Sequence, residues 1–124
     1  MPDPNYWLVG ANWGGDDQAE AFYRRGYWEL GWSDEQQPGM AHWRNGMRPH
    51  DRIAVKSMLG HGSPNISIRA LGIVKEVGED KRVYIEWHVT GLNREVPSRG
   101  CYSSIHGPYT ADRDADWLGK VFRM

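Results

Sequence analysis

The stretch "ISIRALGIVKEVGEDKRVYIEWHV" (66–89) consists of two apolar runs joined by four turn residues, and its reading decides the fold class. The second run, 82–89, alternates cleanly: Val83, Ile85, Trp87 and Val89 share one face, and Tyr84, Glu86 and His88 the other. The first run, 66–77, is long for a strand, and Gly72 in its middle marks a bulge or bend. "GEDK" (78–81) closes a hairpin between them. Upstream, "RPHD" (48–51) is a turn, "RIAVKS" (52–57) a strand, and "MLGHGSPN" (58–65) a glycine- and proline-containing loop. At the start of the chain, Tyr6, Trp7, Leu8 and Val9 read as a first strand. A helix follows, opened by Asp17 with Glu20 in a capping-box pattern and stopped at Gly26, with Ala19, Phe22 and Tyr23 on one face. Ser33 with Gln36 caps a second helix through Met40, Trp43 and Met47, which Pro38 and Gly39 make short or late to start. Downstream, 90–110 is loop with one or two short strands. The end is a short helix around Asp114 to Lys120 before a final short strand. Helices beside a run of strands give an α+β domain with a small curved or barrel-like sheet.

The chain has 124 residues, the size of one domain, and 1–124 is read as a single one. Its formal charge of −1 excludes a domain that holds nucleic acid by bulk positive charge; any such contact must be local. One cysteine, Cys101, allows no internal disulfide and no CxxC-type zinc site, which favours a reducing, cytoplasmic setting. No apolar run approaches the roughly 20 residues of a membrane span. No metal or cofactor is expected.

Catalytic signatures are missing. There is no phosphate-binding glycine loop, no GxGxxG after a strand and no HExxH. His42, His50, His61, His88 and His106 lack metal-site spacing and read as surface or loop residues. Cys101 with His106 is the one imaginable nucleophile and base; a half-buried cysteine beside a loop histidine is the preferred reading. The domain is therefore expected not to be an enzyme.

The unusual feature is aromatic. Seven tryptophans and six tyrosines stand against two phenylalanines, a choice of rings with a polar handle that suits pockets and interfaces. Trp7, Trp87, Trp43 and Trp117 fit strand or helix faces and are expected in the core. Trp13, Trp28 and Trp32 lie in glycine-flanked or irregular segments at the two ends of the first helix, and are expected to wall a pocket for a planar heterocycle.

The ordered set "YWLVGANWGG", "FYRRGYWELGW", "RPHDRIAVKS", "IRALGIVKEV" and "VYIEWHV" resembles the EVE domain and its YTH relatives in the PUA-like superfamily, over nearly the whole chain. In "RRGYWELGWSDEQQP" and "VPSRGCYSSIHGPYT" it resembles more narrowly the N-terminal reader domain of McrB-like AAA+ ATPases of modification-dependent restriction systems. The resemblance implies a small twisted β-barrel of five to six strands with two or three flanking helices. It implies a non-catalytic module of a larger protein, with an AAA+ motor in the parent chain and a nuclease partner. It also implies recognition of a modified, methylated nucleobase in DNA, flipped into an aromatic cage. By likeness to the YTH branch, Trp28 matches the cage tryptophan and Asn12 a polar residue that bonds the base edge. YTH domains take another cage residue from between their central strands. Here that connection is "GEDK", so Trp13 or Trp32 supplies the second wall. Ser57 joins Asn12 and the tryptophans as a candidate base contact, and Lys56, Arg69, Arg99, Arg113 and His106 are candidate backbone contacts, His106 by stacking or a polar bond. Two other readings stay open: a PUA-like module for modified RNA or a small ligand, and a hydrolase using Cys101 or His106.

Overall fold

The computed structural model describes residues 3–60 and 62–123. In chain order its elements are β1 (Tyr6–Gly10), β2 (Asn12–Trp13), β3 (Asp16–Asp17), α1 (Ala19–Arg25), β4 (Tyr27–Glu29), α2 (Pro38–Asn45), β5 (Arg52–Met58), β6 (Asn65–Val77), β7 (Arg82–Val89), β8 (Arg94–Pro97), β9 (Ile105–Tyr109) and α3 (Ala111–Phe122). Among the described residues, seven strands form one mixed sheet in the order β4-β7-β6-β5-β1-β9, with β8 also paired to β6. β1 and β5 run parallel and the other sheet pairs antiparallel. The domain is α+β: a curled half-barrel with three helices, with more strands than the five to six expected.

β6 produces the curl. Its first half pairs with β8 and its second half with β7, while β5 follows it along the other edge. Register shifts at Leu71/Gly72 and Val74/Glu76 bend it, as bulges do. Gly72 is required there, because a Cβ at that position would sit 2.5 Å from Ile85 Cγ2 and 2.9 Å from the Glu86 carbonyl oxygen. The sheet buries both faces. Trp7, Val9, Ile53, Val55, Val83 and Ile85 pack on the face that α1 covers, with Phe22, and Trp28 joins them. Leu8, Ala54, Ile66, Ile68 and Leu71 pack on the other face against Trp117, Leu118 and Val121 of α3.

The turn before β5 is built around Asp51, which is 1% exposed. Its carboxylate accepts the Asn5 and Arg48 backbone N–H groups and the Trp7 indole N–H, each at 3.0 Å. One side chain thus fixes the start of β1, the start of β5 and the orientation of a core tryptophan.

Several local expectations are corrected. Residues 12–17 form a small hairpin, β2-β3, around Gly14 and Gly15, both at positive φ; such two-residue loops match the twist of a hairpin. α1 therefore begins at Ala19. Asp17 Oδ1 still accepts the Ala19 N–H at 2.9 Å, but no side chain caps through Glu20. Ser33 and Gln36 make the reciprocal bonds of a capping box ahead of α2, which starts only at Pro38. Trp43 is 39% exposed on α2 rather than in the core. The last apolar residues are helical, not a strand, since α3 runs to Phe122, and Arg94 caps it by donating to the Val121 and Arg123 carbonyls. His42, His50 and His88 are exposed; His61 lies outside the described residues.

Candidate functional site

A cavity of about 460 Å³ opens where β1 and β5 end side by side. Its volume falls in the roughly 300–1,000 Å³ range of small-molecule sites. The floor comes from Gly10 and Ala11 after β1 and from Val55, Lys56 and Ser57 of β5. A register shift between β5 and β6 at Val55/Lys56 leaves Arg69 without a partner across the pair, so it extends from the sheet to the cavity edge. Trp32, Met40, Met58 and Tyr102 contribute the apolar and aromatic lining; Asn12, Asp17, Ser103 and Ser104 add polar groups.

Of the residues singled out in the sequence, Asn12, Trp32, Lys56, Ser57 and Arg69 come together here. Trp32 is 44% exposed, and its indole N–H donates to Ser104 Oγ at 3.3 Å, which holds a largely open ring in place. Asn12 Oδ1 accepts the Gly15 N–H at 2.8 Å, so the other end of its amide, the NH2 group, is left to donate. Lys56 is 5% exposed. Among the described residues its ammonium has no carboxylate partner and no hydrogen-bond acceptor, and burial holds its pKa below the ordinary lysine value. A positive charge thus faces the cavity from its floor, on a side chain whose remaining exposed surface opens there.

The remaining candidates sit elsewhere. Trp28 is not a cage wall. It lies in β4, hydrogen-bonded along the edge of β7, is fully buried, and donates its indole N–H to the Gly10 carbonyl at 2.8 Å. Trp13 is a partial lid on the core. Its ring packs edge-on against Phe22, with centroids 5.9 Å apart, and over Gly31, where a Cβ would meet the indole at 2.6 Å. It lines a smaller adjoining cleft of about 280 Å³ together with Trp32, Gly31 and Gln36. Arg99 and Arg113 line a separate groove at the start of α3. Arg99 is occupied there by Asp114 at 3.1 Å and by the face of Trp117.

His106 is a support rather than a contact. Its Nε2 accepts the Ser103 N–H at 2.9 Å and so holds the loop that brings Tyr102, Ser103 and Ser104 to the cavity. Only the unprotonated nitrogen can accept. Burial first, and the charge of Lys56 second, keep its pKa below the ordinary 6.5. The unfolded chain therefore takes up a proton in a window just below pH 6.5 where the folded domain does not. Stability falls as pH drops through that window and is unaffected by this group above it. Thermal melts of the wild type are expected to fall more steeply between about pH 7 and 5 than those of His106→Gln, whose side chain does not titrate. Parallel slopes would contradict this role. Cys101 is buried, with Sγ 3.2 Å from Tyr109 Oη, and burial pushes its thiol up. Cys101 and His106 thus bond to different partners, not to each other.

Among the lining residues that sequence reasoning missed, those with side chains suited to contact a ligand are Met40, Met58, Tyr102, Ser103, Ser104 and Asp17. Tyr102, an aromatic in the polar, glycine-bearing segment 98–108, was the available signal. No group of three or more histidine, cysteine or carboxylate residues suited to a metal ion occurs among the described residues, and no described helix is long and apolar enough to cross a membrane. No protein-family model matches the chain, and no curated protein matches it significantly.

Proposed function

We propose that this domain is a non-catalytic reader that takes a modified nucleobase of DNA, turned out of the duplex, into the cavity at the ends of β1 and β5. One observation carries the reading: an exposed indole, Trp32, pinned by Ser104 at the edge of a base-sized cavity whose other walls include Tyr102, Met40 and Met58. Aromatic faces stack on planar heterocycles, and a thioether wall suits an added methyl group. The donors of Asn12 and Lys56 suit a base edge, and Arg69 at the rim suits a phosphate. With a formal charge of −1 and few cations at the rim, a single domain neutralises few phosphates and binds weakly. A multimeric parent would raise the effective affinity.

The PUA-like, EVE/YTH-type identity belongs to this same proposal, and so does a place beside an AAA+ motor and a nuclease. Both rest on the residue resemblance. The α+β half-barrel is compatible with such a fold.

The test is Trp32→Ala, assayed by fluorescence anisotropy on a duplex with one modified base. Loss of stacking worth about 1–3 kcal/mol predicts binding weaker by about 5- to 150-fold. Because the side chain is exposed, the melting temperature should stay nearly that of the wild type. Unchanged affinity would remove Trp32, and the cavity with it, from the binding site.

A further inference from the structure

Trp32 has little packing of its own: its ring is largely open and makes one hydrogen bond, to Ser104. It stands in residues 30–37, which form no helix or strand between β4 and α2. The backbone on either side of it is nevertheless fixed. Upstream, Gly31 lies under the Trp13 indole with no room for a Cβ. Downstream, Ser33 exchanges two hydrogen bonds with Gln36. The strongest tie is at Asp34. Its two carboxylate oxygens accept from Nη1 and Nη2 of Arg44 at 3.0 and 3.3 Å, a fork-to-fork pair. Arg44 belongs to α2 and is only 3% exposed. Lys81 Nζ, from the turn between β6 and β7, stands 3.3 Å from the same carboxylate. Arg44 first, and Lys81 after it, hold the Asp34 carboxyl below the ordinary aspartate value, so the network stays charged at neutral pH.

We infer that Asp34, held by Arg44 and Lys81, is the positioning residue for Trp32: it braces the loop from α2 and from the β6–β7 turn, so that the indole meets a ligand ring already ordered. This rests on the base-reader proposal above and adds the residues that prepare its stacking wall. The physical ground is entropic. An exposed side chain on an unbraced loop must be ordered as the ligand binds, and that cost is subtracted from the stacking. The network moves the cost into folding. A buried guanidinium deprived of its carboxylate is strongly unfavourable, so Arg44 confines Asp34 to one place. Only Ser33 lies between Asp34 and Trp32, and the confinement passes along that short piece of backbone. The turn at 78–81 is not part of the cavity lining; its share is Lys81, an exposed cation that adds a second, weaker tie.

Asp34→Asn and Lys81→Ala are compared with the wild type in two measurements. The first uses no ligand. With 5-fluorotryptophan in place of all seven tryptophans, the fluorine resonance of Trp32 is assigned from its absence in Trp32→Phe. In Asp34→Asn it should narrow and move toward the value of an unfolded chain, while those of the buried Trp7, Trp28 and Trp117 hold their positions. The second is anisotropy on duplexes containing one 5-methylcytosine or one N6-methyladenine, with whichever the wild type binds more tightly. Asp34→Asn should weaken that binding by about 5- to 30-fold, the factor for ordering about one residue on binding. On a Trp32→Ala background the same substitution should change affinity by less than about twofold, because the ring it acts through is gone. A merely structural role would lower affinity equally in both backgrounds. Lys81→Ala keeps the Arg44 pair and alters an exposed side chain, so it should fold as the wild type does and weaken binding by about two- to fivefold. If Asp34→Asn does not fold, Lys81→Ala decides. A Trp32 resonance unmoved in every folded variant would overturn the inference, as would equal losses of affinity with and without Trp32; either leaves the base-reader reading in place. Wild-type binding that ignores both modifications would overturn the reader reading instead, and the fluorine measurement still decides whether Asp34 positions Trp32.

Discussion

Trp28→Ala is expected to lower the melting temperature by about 15 °C or more, or to leave no folded domain to melt, since truncating a buried aromatic costs about 3–5 kcal/mol and each kcal/mol moves a domain of this size by a few degrees. Three features of its place set the size of the effect. The side chain is fully buried. It packs in the cluster that joins β1, β5, β7 and α1. Its indole N–H is bonded to the Gly10 carbonyl at 2.8 Å, at the point where β1 ends beneath the cavity. Removing it opens a large void and takes away a buried hydrogen-bond partner, against a total stability of only about 5–15 kcal/mol. Circular dichroism melts of Trp28→Ala and Trp32→Ala side by side give the comparison that matters. The first should be severely destabilised and the second should melt nearly as the wild type does. A Trp28→Ala domain that melts normally and has lost only its binding would return Trp28 to the cage.

The second large effect is expected at Asp51. Asp51→Ala leaves three buried or partly buried N–H donors, from Asn5, Arg48 and Trp7, without their acceptor. At about 1–3 kcal/mol for each unsatisfied group, with some recovery through water at the edge of the turn, a loss of about 3–5 kcal/mol follows. In urea unfolding the midpoint should fall sharply while the dependence on urea stays the same, because the surface exposed on unfolding barely changes. Asp51→Asn keeps one acceptor oxygen but turns an NH2 group toward N–H donors, so it should fall between the alanine variant and the wild type. A small shift for Asp51→Ala would mean that the three donors find other partners, and that the turn does not anchor β1 to β5.

The central strands were legible because their signal is local. Alternation in 82–89, the long β-branched-rich run 66–77 and the four-residue turn between them correspond to β7, β6 and their hairpin, with Gly72 at a bend. Trp28 was not legible. β4 has three residues, too few for alternation to show, and its burial follows from pairing with residues 82–84, far along the chain. From sequence alone it looked like Trp32, four positions on, yet one lies fully inside and the other lies open. The hairpin at 12–17 was hidden because Gly14 and Gly15 read equally well as a spacer. For Lys56 the strand and the cavity rim were readable, but burial was not: nothing in "RIAVKS" marks Lys56, of its two cations, as the buried one. Arg99 shows the converse, a cation whose partner Asp114 is supplied fifteen residues later by the start of α3. Tyr102, Ser103 and Ser104 reach the cavity through a loop held by His106, a contact with no periodicity to announce it.

The most direct test compares the wild-type domain on two duplexes that differ only in one modified base, by anisotropy at low and at physiological salt. A single-stranded DNA and an RNA of the same sequence serve as further arms. Tighter binding of the modified duplex at both salt concentrations is the expected result, with the preference lost in Trp32→Ala at unchanged melting temperature. Equal affinity for the modified and unmodified duplexes would contradict the reading of this cavity as a base reader, and stronger binding of the RNA would assign it to RNA instead.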